Sequence, residues 1–338
     1  MPLAIVTLYK RRVLSRFAPA LLLLLWSGVK ASAQEAHPRF TGAITCMSSS
    51  CHGGGTGKNQ GLIFAKLDVH RGALAILSSS RSQRIAEALQ LPSAAQSQRC
   101  VVCHSPQQTV PANRFVKPGT PDLAISCETC HGPAEPWLRA HTRPDFTHEL
   151  RVAEGLRDLS TPYQRANACV ACHLNLEPEI RRAGHPEMFF ELDGQLASQP
   201  PHWKENDPWH GPRAWLTGQA VALRELSWKL GSHPDAELNL RWRALIWLLQ
   251  RADAGGKLAP TMSYSAMQQA ADQLAQSASA QPWSREDGAV APQLRGPGRR
   301  FQEVPGRPEG TSATGGSPGP CSGPALAVTQ NPEPELDL

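Results

Sequence analysis

The chain has 338 residues, of which 34 are Lys or Arg and 29 are Asp or Glu, so its formal net charge is +5 at pH 7. The first 33 residues hold five of the basic side chains and no acidic one, which leaves 29 basic against 29 acidic side chains in the remainder. A balanced chain without a basic stripe argues against a nucleic-acid-binding protein.

The N-terminal segment has the layout of a secretory signal peptide. Four basic residues between Lys10 and Arg16 precede the apolar run from Ala20 to Trp26, and small residues end at Ala33. The apolar run is short for a membrane span, so an uncleaved anchor, with the membrane association it would bring, is the less favoured alternative. We expect residues 1–33 to be removed near Ala33 and the mature protein to be periplasmic or otherwise exported.

Four segments combine two cysteines with a histidine directly after the second cysteine. Three are strict Cys-x-x-Cys-His runs, with Cys100, Cys103 and His104, with Cys127, Cys130 and His131, and with Cys169, Cys172 and His173. The fourth, CMSSSCH, separates Cys46 from Cys51 by four residues before His52. In a c-type haem site each cysteine bonds a haem vinyl group and the following histidine ligates the iron. The motifs therefore predict four covalently attached haem c groups.

Zinc and disulfides are the alternative uses of such cysteines. Structural zinc sites use two cysteine pairs and need no histidine after every pair. Eight cysteines in an exported protein suit four disulfides, as in small secreted scaffolds. Neither alternative explains the four histidines, although the widened spacing makes Cys46 and Cys51 the least secure pair.

We expect a mostly α-helical protein in which residues 37–205 form a tetrahaem cytochrome c domain. This region has few long apolar runs, so the haems themselves are expected to form its core. Residues 206–284 are expected to form a small helical extension. Helical periodicity predicts its three helices, from Arg213 to Lys229, from Ala236 to Asp253 and from Ser263 to Ser277. Their apolar faces suit packing within the protein, with a partner-binding surface as the alternative.

The C-terminal segment, residues 285–338, has the composition of a disordered tail. It contains nine Pro and nine Gly with few large apolar residues, so it cannot bury enough surface to become ordered. Cys321, the ninth cysteine, lies here outside any haem motif. The sequence assigns it no role.

Eight further histidines are candidates for the sixth ligand of each iron. They are His37, His70, His141, His148, His185, His202, His210 and His233. Methionine is the poorer candidate, since Met47, Met188, Met262 and Met267 are the four that follow the signal segment and Met47 lies inside a haem motif. Histidine ligation without methionine predicts low reduction potentials.

Several segments resemble multihaem cytochromes of the cytochrome c-554 and c-prime type, tetrahaem carriers related to the electron acceptor of hydroxylamine oxidoreductase. They are CMSSSCHGG, LDVHRGAL, SCETCHGPAEPWLRAH, RANACVACH and AGHPEMFFELD, within residues 40–205. The resemblance implies a helical tetrahaem domain with closely packed haems and distal ligands from distant histidines. It implies His70, His141 and His185 as distal ligands and His202, in PPHW, as the fourth. The remaining four histidines are expected to be ordinary surface residues.

An electron carrier is the leading functional interpretation. Four closed irons would pass electrons between redox partner proteins, whose identity the sequence does not reveal, without transforming a substrate. The alternative is an enzyme with one open iron that binds a small nitrogen oxide. A third interpretation is an accessory or sensory haem subunit of a larger complex. The number of irons with two protein ligands distinguishes the first two.

Overall fold

The structure, a computed structural model, describes residues 37–55, 57–117, 124–252 and 258–283. These residues all belong to the first of the two units into which the chain divides, Met1–Arg295; the second, Gly296–Leu338, lies outside the described ranges. The predicted signal segment and the predicted tail with Cys321 also lie outside them. Within the described ranges the chain is helical, and its β-type pairing is one isolated parallel bridge between Phe40 and Phe115. The predicted mostly α-helical class is confirmed.

The motif region is built from short helices joined by turns. Its α-helices are α1 (Gln60–Leu67), α2 (Ser80–Ala88), α3 (Gln98–His104), α4 (Cys127–His131), α5 (His148–Ala153), α6 (Pro162–His173), α7 (Pro178–Arg182) and α8 (Leu192–Ser198). Short 3-10 helices cover Ala43–Thr45, Val69–Gly72, Ala75–Ser78, Ala94–Gln96, Pro106–Thr109, Ala112–Arg114 and Ala140–Thr142. Apolar packing is sparse here, since one buried cluster consists of Leu77, Ala86, Ala94 and Val101.

Three longer helices follow, α9 (His210–Ser232), α10 (Ala236–Arg251) and α11 (Tyr264–Ala280). The three predicted helices are confirmed, and the first extends three residues further at each end. Side-chain caps fix two of the starts: Asp235 accepts from the Leu238 amide at 2.9 Å and Ser263 from the Ala266 amide at 3.2 Å. Each cap satisfies an amide that the first helical turn leaves unpaired.

The apolar faces of α9, α10 and α11 meet in one core. Leu223, Ile246, Leu249 and Met267 are fully buried in it, and Trp242 donates its indole N–H to the Ser227 hydroxyl at 2.8 Å. Burying each of these large side chains contributes about 1.5–3 kcal/mol. Most of the apolar residues of these three helices therefore pack within the protein, which is the first of the two predicted roles.

A second cluster joins this extension to the last cysteine motif. Ala166 and Val170 of α6 pack with Leu192, the first residue of α8, and with small residues of α9. A Cβ atom added to Gly218 of α9 would lie 2.7 Å from that of Leu192, so the approach requires glycine. The predicted domain boundary between residues 205 and 206 stays a prediction. Residues from both sides of it share this cluster.

A polar network reinforces the same contact. The Arg224 guanidinium of α9 donates to Asp272 of α11 at 2.7 Å and to Asn167 of α6 at 2.6 Å. The Tyr163 hydroxyl also donates to Asp272, at 2.8 Å. Three helices are therefore cross-linked around one half-buried arginine.

The described helices also bear on membrane insertion. None of those within the described ranges combines the length and apolar character needed to cross a membrane.

Candidate haem sites

The three strict cysteine motifs lie on helices. CVVCH ends α3, CETCH is the whole of α4, and CVACH ends α6. On a helix, residues three and four apart lie on one face, so both cysteines and the histidine of each motif point to the same side. Gly132 follows the second motif with φ 82°, a left-handed conformation that ends α4 directly after its histidine.

The widened motif forms a looped turn instead of a regular helix. The His52 amide donates to the Cys46 carbonyl oxygen at 3.0 Å. When a strict motif lies on an α-helix, the helical hydrogen bond between residues four apart joins the same two groups, the amide of the histidine and the carbonyl of the first cysteine. The two extra residues are thus accommodated as a bulge. A Cβ atom on Gly53 would lie 1.9 Å from the Met47 carbonyl oxygen, so this closure requires glycine.

The eight histidines predicted as ligands come together as four pairs, each joining one motif histidine to one distant histidine. The ring centroids are 6.2 Å apart for His52 and His141, 6.2 Å for His70 and His173, 6.3 Å for His104 and His185, and 6.5 Å for His131 and His202. The first pair has nearly parallel rings, at 15°, and the other three have steep interplanar angles of 73–79°. Sequence reasoning left the partners of individual histidines open.

These separations fit a single metal ion between the rings. Two metal–nitrogen bonds of about 2 Å, with roughly 1 Å more from each nitrogen to its ring centre, place the centroids about 6 Å apart. Rings joined by a direct hydrogen bond of about 2.9 Å would have centroids only about 5 Å apart. The residues present therefore suit an iron with two axial imidazoles.

The outer ring nitrogens are also engaged as metal ligation requires. Seven of the eight rings place Nδ1 within 2.6–3.4 Å of a polar group: His52 of Gln60, His70 of Asp68, His104 of the Ala73 carbonyl, His141 of the Leu138 carbonyl, His173 of the Gln195 amide, His185 of the Pro186 carbonyl and His202 of the Pro200 carbonyl. Such contacts fix the ring orientation and the tautomer, which leaves Nε2 for the metal.

The contact between Gln195 and His173 is the least well matched of the seven. The Oε1 atom of Gln195 is buried without a hydrogen-bond partner in the described structure, while its Nε2 faces the His173 ring. Nε2 also donates to the Phe189 carbonyl at 3.2 Å, so exchanging the amide oxygen and nitrogen would let Oε1 accept from Nδ1–H but would give up the bond to Phe189.

One of the seven contacts involves a carboxylate. Asp68 is 1% exposed, and its Oδ1 accepts from the His70 amide at 2.9 Å and lies 2.8 Å from His70 Nδ1. Its Oδ2 accepts from the Gln199 side chain at 3.0 Å. Burial favours the neutral acid, but the hydrogen bonds from His70 and Gln199 outweigh it and lower the pKa of Asp68 to about 2. Sequence reasoning missed this residue; the Asp-x-His spacing in LDVH was the available signal.

Burial keeps two of the ring systems neutral. It is the main cause that lowers the pKa of His131 to about 4, with His202, His52 and Arg157 acting in the same direction. Burial, then His70, likewise lowers the pKa of His173. A neutral imidazole is the form that ligates a metal, so both rings are ready to bind one.

Exposed apolar side chains surround the motifs. Ile44 and Val69 are 80% and 83% exposed and stand beside Cys46 and His70 in the chain, and Phe189 is 70% exposed shortly after His185. Large apolar groups at such exposure mark a binding surface. They suit the apolar macrocycle that the motifs predict.

Trp137 lies beside a predicted ligand. Its ring meets that of His141 edge-on at 5.6 Å, and its buried indole N–H has no hydrogen-bond partner among the described residues. The structure places it in the core, next to the ligand.

The cysteines lie close together across motifs. Cys103 of CVVCH and Cys172 of CVACH share a hydrogen bond, and this contact lowers the pKa of Cys103 and raises that of Cys172. Burial raises the pKa of Cys169 to about 11. No disulfide joins the described cysteines. Among the described residues, no group of three or more His, Cys, Asp or Glu side chains forms a metal site without a cofactor.

The other candidates take different positions. His148 lies 3.2 Å from Asp158, and His210 lies 2.9 Å from Glu205. His37 and His233 are exposed. Met267 is fully buried in the core of the helical extension.

Comparison with known proteins gives one family. Residues 45–132 match the family model described as cytochrome c554 and c-prime, a segment that holds three of the four motifs and His70. No curated protein and no solved structure shows a match to the chain. The match lies inside the region of resemblance seen in the sequence, and its three motifs supply the motif histidines of three of the four pairs. The match supports a c-type cytochrome of the cytochrome c554 and c-prime family over the part of the chain that it covers, and with it a haem c-type electron carrier.

Proposed function

We propose that the chain is an exported tetrahaem cytochrome that carries electrons between redox partner proteins, with each iron held between one motif histidine and one distant histidine. The observation that carries the proposal is the set of four histidine pairs, all with centroid separations of 6.2–6.5 Å. Four unrelated sequence separations converge on one distance. A common bridging group explains this better than chance packing.

The widened motif is counted as the fourth site for a structural reason. His52 forms a pair with His141 like those of the strict motifs, and its amide closes onto Cys46 as the helical turn does elsewhere. The turn therefore keeps the backbone hydrogen bond between the histidine and the first cysteine that a strict motif makes on a helix. Export is supported by the signal-peptide pattern of residues 1–33.

The pairs favour a carrier over the enzyme alternative. Haem c supplies a reversible one-electron couple when bound. The two histidines of each pair would ligate the iron, Nδ1 contacts fix seven of the eight rings, and burial lowers the pKa of His131 and of His173. An enzyme of the kind considered above needs one motif histidine without such a partner. Each of the four motif histidines has one.

The haem count is the first test. We expect intact-mass measurement to give a protein that begins near Gln34 with four haem adducts, and a pyridine haemochrome assay to agree. Three adducts, with Cys46 and Cys51 unmodified, would contradict the proposal at the widened site.

Axial ligation is the second test. The ferric protein should be wholly low-spin and should bind cyanide or nitric oxide only slowly, because each sixth position is filled. His185→Ala should convert about one haem in four to a high-spin, ligand-binding form. His148→Ala is the matched control, since His148 faces Asp158 and, among the described residues, no other histidine ring, and it should change neither property. A high-spin haem in the unmodified protein would overturn the carrier proposal and favour the enzyme.

A further inference from the structure

The contact between Asp68 and His70 differs in kind from those of the other ligand histidines. Asp68 is almost fully buried, and its carboxylate receives three hydrogen bonds, two from His70 and one from Gln199. Several hydrogen bonds to a carboxylate favour its ionised form. The His70 ring therefore has a negative charge 2.8 Å from its outer nitrogen.

The six other contacts are to neutral groups. His104, His141, His185 and His202 face backbone carbonyl oxygens, while His52 and His173 face glutamine side chains. A carbonyl orients an imidazole, but a carboxylate also draws the Nδ1 proton towards itself and makes the ring a stronger electron donor. Stronger donation, together with nearby negative charge, stabilises ferric over ferrous iron.

We propose that Asp68 sets the potential of the haem between His70 and His173 and makes it the lowest-potential haem of the four. This inference rests on the proposed function, since it requires a haem at that histidine pair. Asp68 is a positioning and tuning residue, because it acts through His70 and touches no iron. Gln199 holds the second carboxylate oxygen and so keeps the first directed at the ring.

The direct test is a redox titration of Asp68→Asn holoprotein, followed by the visible haem spectrum. Asparagine keeps the size of the side chain and removes its charge. The equilibrium constant for reduction of the lowest-potential haem should rise at least about tenfold, equivalent to about 59 mV for one electron. The other three steps should move less.

Asp158→Asn is the control for loss of a charge. In the described structure the half-buried Asp158 side chain contacts His148, Ser160 and Gln164 and none of the paired histidines, so its replacement should shift every step by less than about threefold. Gln199→Leu is the control for local damage. It removes the contact that helps to direct Asp68 but leaves the charge and the bond to His70, so the lowest step should rise much less than in Asp68→Asn. A rise in Gln199→Leu equal to that in Asp68→Asn, or no rise in Asp68→Asn, overturns the inference.

A second pair of variants decides the question even if Asp68→Asn yields no holoprotein. His70→Met should remove the lowest-potential step, because methionine ligation raises the potential. His185→Met should leave that step in place, because Nδ1 of the native His185 ring faces the neutral Pro186 carbonyl instead of a carboxylate. The reverse result overturns the inference. Failure of the proposed function looks different, since the unmodified protein would then carry fewer than four low-spin haems.

Discussion

Glu128, the second residue of the CETCH motif, is predicted to anchor the chain that leads into the widened motif. Its side chain is 1% exposed and accepts from the backbone amides of Ala134 at 2.7 Å, Gly42 at 2.8 Å and Thr41 at 2.9 Å. Glu128→Gln replaces one carboxylate oxygen by an N–H donor, so at least one buried amide loses its acceptor whichever way the new side chain turns. Hydrogen bonds to charged groups contribute about 1.5–3 kcal/mol each, and the surviving bonds lose their charge. We expect the free energy of unfolding to fall by about 3 kcal/mol.

Guanidinium unfolding of the ferric holoprotein, followed by far-ultraviolet circular dichroism, measures this change. Glu154→Gln is the matched control, because Glu154 is exposed and the same substitution there should cost less than about 0.5 kcal/mol. Hydrogen exchange at the Gly42 amide or at the Ala134 amide should accelerate in Glu128→Gln alone, since one of the two loses its buried acceptor. A loss of stability equal to that of the control, with unchanged exchange at both amides, would refute the reasoning.

Three further predictions concern other parts of the molecule. Electron paramagnetic resonance of the ferric protein should show one rhombic low-spin haem, from the nearly parallel rings of His52 and His141. The other three haems should show a much larger maximum g value, because steeply inclined rings leave two iron d orbitals nearly degenerate. Four similar signals would contradict the ring geometry. Truncation after Ser284 should leave haem content and potentials unchanged, and loss of folded holoprotein would show that the tail prediction is wrong. Arg224→Met should lower the free energy of unfolding by about 2 kcal/mol by removing its bonds to Asp272, with the potentials unchanged, as measured by denaturation and redox titration.

Much of the fold could be predicted from local patterns. Helical periodicity located α9, α10 and α11 because their apolar residues return every three or four positions. The start of α9 was predicted three residues late, at Arg213, since its first turn is polar. That turn is held by Asp207, whose carbonyl accepts from the His210 amide at 3.1 Å, a contact without periodicity.

The site could be predicted only in part. The motif histidines follow from covalent chemistry, and the resemblance to a family supplied the distant ones. Their pairing depends on tertiary structure, because His141 lies ten residues after His131 but faces His52 instead. Asp68 was missed for the same reason: an acidic residue two positions before a histidine is common, and only its burial and its contact with Gln199 distinguish this one.

The packing of α6 against the helical extension has a consequence for maturation. Cys169 lies on α6 against the cluster that includes Ala220 and Val221 of α9 and Ala275 of α11. An attachment enzyme needs access to both cysteines of a motif while it delivers haem, and this cluster blocks access to Cys169 from that side. If the proposed function holds, haem attachment at CVACH should precede the docking of α9 and α11. In the proposed export, α6 would also leave the channel before those helices, so the order of translocation would match the order that assembly requires.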